Sequence, residues 1–346
     1  MQKKGEFVPV FSTPLQRKRR LFGPFRADSY RVLGAVILHV IFQGPFQGNL
    51  HGEGKQSEQF RLFAGAGGGM FRNGLEDRLY ADRLDGLLIH APTGLHADRY
   101  SGASSLTVTF QYRIGPWLAA LDGQTLRSRS HHAGSVWLNP VSAPSLEVVQ
   151  GRHSRWNAQL VGGYSPFSWA SNSVIFLIGF DFTGAYTQLE RARLSQGGRS
   201  EGDRIDLLHT GRLIGLEYRF ENERFGIQAR YLYQYSPYGR WESERKTFYL
   251  NGQMEIYSEL GPIHTEGHRA AVGFDYALSP AWMIRFQYTA GLTKIYDHGL
   301  NTTWTGTRTF QPERFVLNRL LGERTAVNGE GFSVFEMGIV YRWESK

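Results

Sequence analysis

Three sets of side chains have the types and spacing to do chemistry. The first is a set of charges that recurs on the polar side of alternating segments: Arg61, Arg113, Arg219, Arg230, Arg269, Arg285 and Arg342, with Asp181, Glu217, Asp275 and Glu336. In an enclosed space such charges must pair or stay wet, because an unpaired buried charge is costly. Paired, they brace a structure; wet, their arginine excess favours the passage of anions. The second set is IHTEGH, where His264, Glu266 and His268 sit at i, i+2 and i+4. On a strand all three point the same way, which makes a divalent-metal site geometrically open to them. Histidines gathered in loops more often bind nothing, and the adjacent His131-His132 pair reads the same way. The third is Asp297-His298, an acid–base pair with serines nearby, although no spacing specifies a nucleophile together with its base and orienting group. AGAGGG at residues 64–69 lacks the spacing of a dinucleotide fingerprint, and its glycines instead relieve crowding on a strand. No metal or cofactor is expected.

Composition narrows what these groups can belong to. The chain has 346 residues, 41% hydrophobic and 20% charged, with 41 glycines and no cysteine. It can bury a core, and it has no disulfide scaffold, thiolate metal site, cysteine nucleophile or acylated N-terminal cysteine. Lys+Arg exceeds Asp+Glu by 39 to 31, but residues 1–48 hold eight of the basic and two of the acidic side chains. Beyond residue 48 the excess falls from +8 to +2, so a nucleic-acid partner loses its support. Residues 1–31 are basic and residues 32–42, VLGAVILHVIF, are apolar. A run of eleven is too short for a membrane-spanning helix, which needs roughly 20 residues, and suits the core of an export signal. The competing reading is a buried strand or helix. Residues 1–48 are read as an export leader and 49–346 as the folded domain.

Beyond residue 55 the chain alternates with a period of two. Leu106, Val108, Phe110, Tyr112 and Ile114 fall on one face and Thr107, Thr109, Gln111 and Arg113 on the other. Phe225, Ile227, Ala229, Tyr231 and Tyr233 repeat the pattern, as do Trp282, Ile284, Phe286, Tyr288, Ala290 and Leu292. Each segment is therefore a strand with one apolar and one polar face. A soluble sandwich would wet the polar face, whereas a membrane barrel turns the apolar face to lipid and the polar face to its lumen. The polar faces carry Gly, Gln, Thr and Arg with little Lys or Glu, which favours a crowded lumen. Aromatic residues concentrate towards strand ends, as interfacial girdles require: Tyr112, Tyr218, Phe220 and Phe225, then Tyr276, Trp282, Tyr341 and Trp343. Short links at Gly115-Pro116, 165–172, 221–224 and 279–281 alternate with polar segments at 72–103, 131–150, 188–211, 236–268 and 298–330. Asn251-Gly252 predicts a two-residue hairpin turn at the tip of a ribbon that projects beyond the bilayer.

Strands are expected at 58–70, 104–114, 117–129, 151–164, 173–187, 212–220, 225–250, 253–278, 282–297 and 331–343. The fold class is all-β, a transmembrane antiparallel up-and-down barrel of about ten strands; a start near Ser104 would give eight.

On the last strand, with Phe335, Met337, Ile339, Tyr341 and Trp343 on one face, the chain resembles the outer-membrane β-barrel proteins of diderm bacteria. The segment FDYALSPAW at 274–282 also looks like a periplasmic turn of small barrels. The resemblance implies a place in the bacterial outer membrane, outer-membrane lipid and lipopolysaccharide as partners, and a terminal strand read by the barrel-assembly machinery. Here Glu344, Ser345 and Lys346 follow the last aromatic, where the family usually ends on the aromatic itself. Some barrels of this kind are hydrolases, for which Asp297-His298 is the rim candidate. The segments holding Arg191, Arg193, Arg199 and Arg204, and Arg308, Arg314, Arg319 and Arg324, could hold lipopolysaccharide phosphates or acidic host polymers by bidentate contacts. The bland alternative for them is a solvated surface. The expected function is a structural or small-solute pore protein with a mild anion preference, lined by Arg113, Glu217, Arg219, Arg230, Arg269, Asp275, Arg285, Glu336 and Arg342. A surface-binding protein and an outer-membrane hydrolase are the rivals.

Overall fold

A computed structural model describes residues 58–73, 101–136, 145–169, 171–193, 199–249, 251–299, 301–306 and 329–345. The expected leader lies outside the described residues. The described chain is β-strand and turn: β1 (Glu58–Asn73), β2 (Ser101–Ile114), β3 (Trp117–Val136), β4 (Ser145–Trp169), β5 (Asn172–Arg193), β6 (Arg199–Glu221), β7 (Phe225–Tyr249), β8 (Met254–Ala277), β9 (Trp282–Asp297), β10 (Asn301–Gly306) and β11 (Gly329–Ser345). Each strand from β1 to β8 pairs antiparallel with the next, β9 pairs with β11, and β1 closes on β11 from Glu58–Ser345 to Asn73–Glu330. Ten strands therefore form a closed barrel. The short β10 stands outside the ring and pairs with residues 255–260 of β8, above the end of β9. The eight-strand count fails because β1 is the closure strand.

The turns at one end are tight. Gly115 takes a φ of +54° between β2 and β3, where an L side chain would be strained. Between β6 and β7 the Asn222 carboxamide oxygen accepts hydrogen bonds from the backbone N–H of Arg224 and Phe225, at 2.9 and 2.8 Å. The link expected at 165–172 is shorter than the sequence suggested: β4 continues to Trp169 through a bulge between Tyr164 and Phe167. At the opposite end Gly252 has a φ of +78°, as expected of a glycine in a hairpin turn. The last paired residues there are Phe248 and Met254, so the connection is wider than two residues.

The larger departure is strand length. β5 runs on to Arg193, and β6 starts at Arg199, well before the expected residue 212. β4 likewise starts at Ser145. Most of the segments expected as loops at 131–150 and 188–211 are paired strand. The physical reason is that an apolar outward face is required only where lipid touches it. Above that level Arg204, Asp206 and Thr210 alternate outward with Ile205, Leu207 and His209 inward, so pairing persists while the lipid-facing pattern ends. A membrane crossing needs about 9–11 residues per strand, and β4 to β8 have 22–25.

Candidate functional site

The outer wall fixes where the barrel meets lipid. Starting at the tight-turn end, the outward side chains of β5 are Val174, Phe176, Ile178, Phe180 and Phe182, and Ile178 is 67% exposed. β11 presents Trp343, Tyr341, Ile339, Met337 and Phe335, and β2 presents Ile114, Tyr112, Phe110, Val108 and Leu106. So much exposed apolar surface is untenable in water and is what a bilayer demands. Moving up from the turns, the first charged outward residues are Arg127 on β3, Arg152 on β4, Arg212 on β6, Glu266 on β8 and Lys294 on β9. Trp117 and Arg127 are ten positions apart, a rise of about 25 Å on a tilted strand, which matches the apolar band of such barrels.

The girdle candidates Tyr112, Tyr218, Phe220, Phe225, Tyr276, Trp282, Tyr341 and Trp343 all lie outward at the tight-turn end. Trp282 packs against Tyr341 with ring centroids 5.0 Å apart, and Phe220 against Phe225 at 5.5 Å. Trp117, Tyr164 and Phe167 join the same belt and were not singled out from sequence. Alternation could have placed the first two, but the bulge in β4 hides the third.

Inside the barrel, charges and amides interlock across the lumen. Glu217 accepts from Arg219 and from Arg230 Nε at 2.5 Å, while Arg230 Nη1 reaches Asp122 on β3 at 2.5 Å. Arg219 Nη2 also donates to Gln111 at 2.8 Å, and Arg61 pairs with Glu221. Arg285 holds Asp275 in a bidentate pair at 2.6 and 2.7 Å. Ser105 and Thr107 both donate to Glu336 at 2.7 Å. Arg269 donates to Asn157 at 2.9 Å and Gln124 at 3.0 Å, and Asn157 and Gln159 donate to Asp181. Higher up, Arg155 pairs with Glu330 at 2.9 Å. Arg113 and Arg342 face inward but lie at the tight-turn mouth, where they donate to the carbonyls of Gly115 and Pro280, each at 3.2 Å. Asp122, Glu221, Arg155 and Glu330 complete the network without having been picked out, since only tertiary pairing shows which carboxylate meets which guanidinium.

The interior is also partly apolar, contrary to the expected polar face. Leu118, Val161, Ile175, Leu177, Leu213 and Leu232 form one buried cluster, and Phe63, Met283 and Val340 another. Above the bilayer level Leu189, Ile205, Leu207, Trp241, Ile263 and Ile295 fill the lumen. An interior cavity of about 40 Å³, lined by Thr109, Gln111, Asp122, Arg230 and Arg285 among others, has room for about three waters.

The histidines separate. His264, Glu266 and His268 do share the outward face of β8. His264 Nδ1 lies 2.6 Å from His298 Nε2 and stacks on Tyr296, whereas His268 Nδ1 bonds the Tyr231 hydroxyl at 2.7 Å. Glu266 stands opposite Lys294. Among the described residues no group of three or more His, Asp or Glu is arranged to hold a metal ion. His131 is exposed on β3; the side chains of His132 and Asp297 lie outside the described residues. So do those of Arg191, Arg193, Arg199, Arg308, Arg314, Arg319 and Arg324, while Arg204 pairs with Asp206 at 2.7 Å.

One inward histidine mimics a catalytic site. His209 Nδ1 is 3.0 Å from Ser236 Oγ, 3.2 Å from Thr265 Oγ1 and 4.0 Å from Asp181 Oδ2. Serine and aspartate share one ring nitrogen, whereas a triad needs them on opposite nitrogens. All three residues are buried to 1% exposure or less, so no substrate reaches them. Burial, with the Arg155 charge adding to it, lowers the His209 pKa to about 3.

No protein-family model matches the chain, and comparison with curated proteins finds no relative. Among solved structures, the outer-membrane protease OmpT of Escherichia coli is similar at 11% identity and a TM-score of 0.46, covering 85% of this chain and 99% of that one. The attachment invasion locus protein Ail of Yersinia pestis, solved with a heparin analogue, is similar at 11% identity and a TM-score of 0.25, over 83% of this chain and 99% of that one. The toluene transporter TodX of Pseudomonas putida is similar at 8% identity and 0.33, over 84% and 90%. The likeness is one of barrel architecture. The chain is a closed transmembrane β-barrel of outer-membrane type, and its own charge-free apolar wall and aromatic belt place it in the bacterial outer membrane.

Proposed function

We propose that this chain is a closed anchoring barrel whose projecting wall and outer loops are its working surface, rather than a solute pore. The observation that carries this reading is the pairing of Arg230 with Glu217 on the neighbouring strand and with Asp122 across the barrel, beside one apolar cluster and below another. A ten-stranded barrel is narrow enough for side chains to fill it. Arg61, Arg155, Arg219, Arg230 and Arg285 are paired with carboxylates and Arg269 is held by amides, so they offer little to a passing anion, which weakens the basis for anion preference. An apolar layer around Trp241 adds a dewetted constriction above the charged one.

The test is single-channel recording of the purified chain in planar bilayers with asymmetric salt, insertion being checked by protease protection. Silent, inserted barrels support the anchor. Discrete steps with an anion-shifted reversal potential would establish a pore and overturn it. Contact with membrane lipid follows from the wall; lipopolysaccharide and the barrel-assembly machinery, acting on the strand that carries Phe335, Met337, Ile339, Tyr341 and Trp343, are the partners this reading expects. A rim hydrolase using His298 is the rival. Against it stands the His264 ring, which already occupies His298 Nε2. His298→Ala assayed for hydrolysis in lipid separates the two.

A further inference from the structure

Several outward charges at and above the level where the apolar band ends come in pairs of opposite sign. Glu266 faces Lys294 across β8 and β9, Arg204 pairs with Asp206 at 2.7 Å, and Arg240 pairs with Glu242 at 3.1 Å. The β3–β4 wall breaks this rule. Arg129 stands directly opposite Arg152, and Arg127 follows two positions lower on the same face, opposite Ser154. The side chains directly beside them are uncharged, Ser104 beside Arg127 and Gln188 beside Arg152, and the exposed Glu190, one outward step higher on β5, accepts a hydrogen bond from Gln188 at 3.1 Å. All three arginines are exposed, and among the described residues none has a carboxylate partner.

Like charges placed directly opposite on a sheet destabilise it. The pair is tolerable where an anion with more than one negative charge sits between the two guanidinium groups. A phosphomonoester fits: it carries about −1.5 to −2 charges at pH 7 and takes arginine in bidentate fashion. Height identifies its carrier. Immediately below the arginines come Thr125 and Trp156, then the small outward pair Gly123 and Ala158, then Leu121 and Leu160. An acyl chain running down this wall meets only uncharged side chains as far as Trp117 and Tyr164. We propose that Arg127, Arg129 and Arg152 bind a phosphomonoester borne by an outer-leaflet lipid whose acyl chains lie on the β3–β4 wall. The site does not depend on whether the lumen conducts, and silent or conducting bilayers leave it equally standing.

The experiment reconstitutes the full chain into phosphatidylcholine vesicles doped with lipid A, a phosphomonoester glycolipid, or with phosphatidylglycerol, a phosphodiester. After mild re-extraction, the dopant retained per barrel is counted by mass spectrometry. Wild type is expected to keep lipid A and shed phosphatidylglycerol. Arg129→Gln/Arg152→Gln is expected to keep about tenfold less lipid A, as befits the loss of charge-assisted bidentate contacts. Arg240→Gln, at a paired position, should match wild type, and heat-modifiable gel migration confirms that every variant is folded. Equal lipid A retention by the double variant overturns the site. Equal retention of phosphatidylglycerol by wild type overturns the phosphomonoester assignment. Complete displacement of lipid A by millimolar inorganic phosphate overturns the lipid as its carrier.

Discussion

Replacing Glu217 by Gln tests the closed lumen at its most connected point. Glu217 is fully buried and accepts from two guanidinium groups, those of Arg219 and Arg230. Glutamine keeps the shape and one acceptor oxygen but removes the charge, leaving Arg219 with Gln111 and Arg230 with Asp122. Removing one member of a buried ion pair costs about 3–5 kcal/mol when the other is left uncompensated. Because Arg230 retains Asp122, the low end applies, and the expected loss is about 3 kcal/mol, roughly two orders of magnitude in the folding equilibrium. The assay is reversible urea unfolding in lipid vesicles, followed by tryptophan emission and by heat-modifiable migration. Glu242→Gln, which breaks the exposed pair with Arg240, is the control and should cost at most about 1 kcal/mol. A Glu217→Gln cost no larger than this control would mean that water screens the cluster, and the side-chain-filled lumen would be refuted along with the anchor reading.

Three further outcomes follow from the packing. A Cβ on Gly67 would lie 1.9 Å from the Phe335 carbonyl oxygen across the β1–β11 seam, whereas one on Gly102 meets nothing within 4 Å. Gly67→Val should therefore lose the compact heat-modifiable band while Gly102→Val keeps it. Trp241→Ala empties the apolar plug lined by Leu189, Ile205, Ile263 and Ile295, and should cost about 3–5 kcal/mol in the same urea titration. For His209, the folded pKa of about 3 lies below the ordinary 6.5. Between those values the unfolded chain takes up a proton that the folded chain does not. Stability from this group is thus whole above pH 6.5 and falls with acid by at most about 1.4 kcal/mol per pH unit. His209→Gln should flatten that slope, as read from urea midpoints between pH 7 and 4.

The sequence alone determined the barrel. A period of two in strands such as β2 and β9 sorts side chains onto two faces, and lipid requires one of them to be apolar, so strand count and antiparallel order followed from pattern. β9 ended where the alternation ended, at Asp297. The pattern was informative only as far up as lipid reaches. β6 lost its first thirteen residues to an apparent loop because, from Arg199 to Gly211, no bilayer constrains the outward face. Tertiary structure decided the interior. Parity put Arg230 and Glu217 inside, but nothing local could pair Arg230 with Asp122, 108 residues away, because that contact exists only once β3 and β7 face each other across a closed ring. The same holds for the plug around Trp241, where a bulge between Ser236 and Gly239 reverses which residues of β7 face inward. The β3–β4 register also set Arg129 directly against Arg152. Each is an ordinary surface arginine in sequence, and only register makes them a like-charged pair at the height of a lipid headgroup.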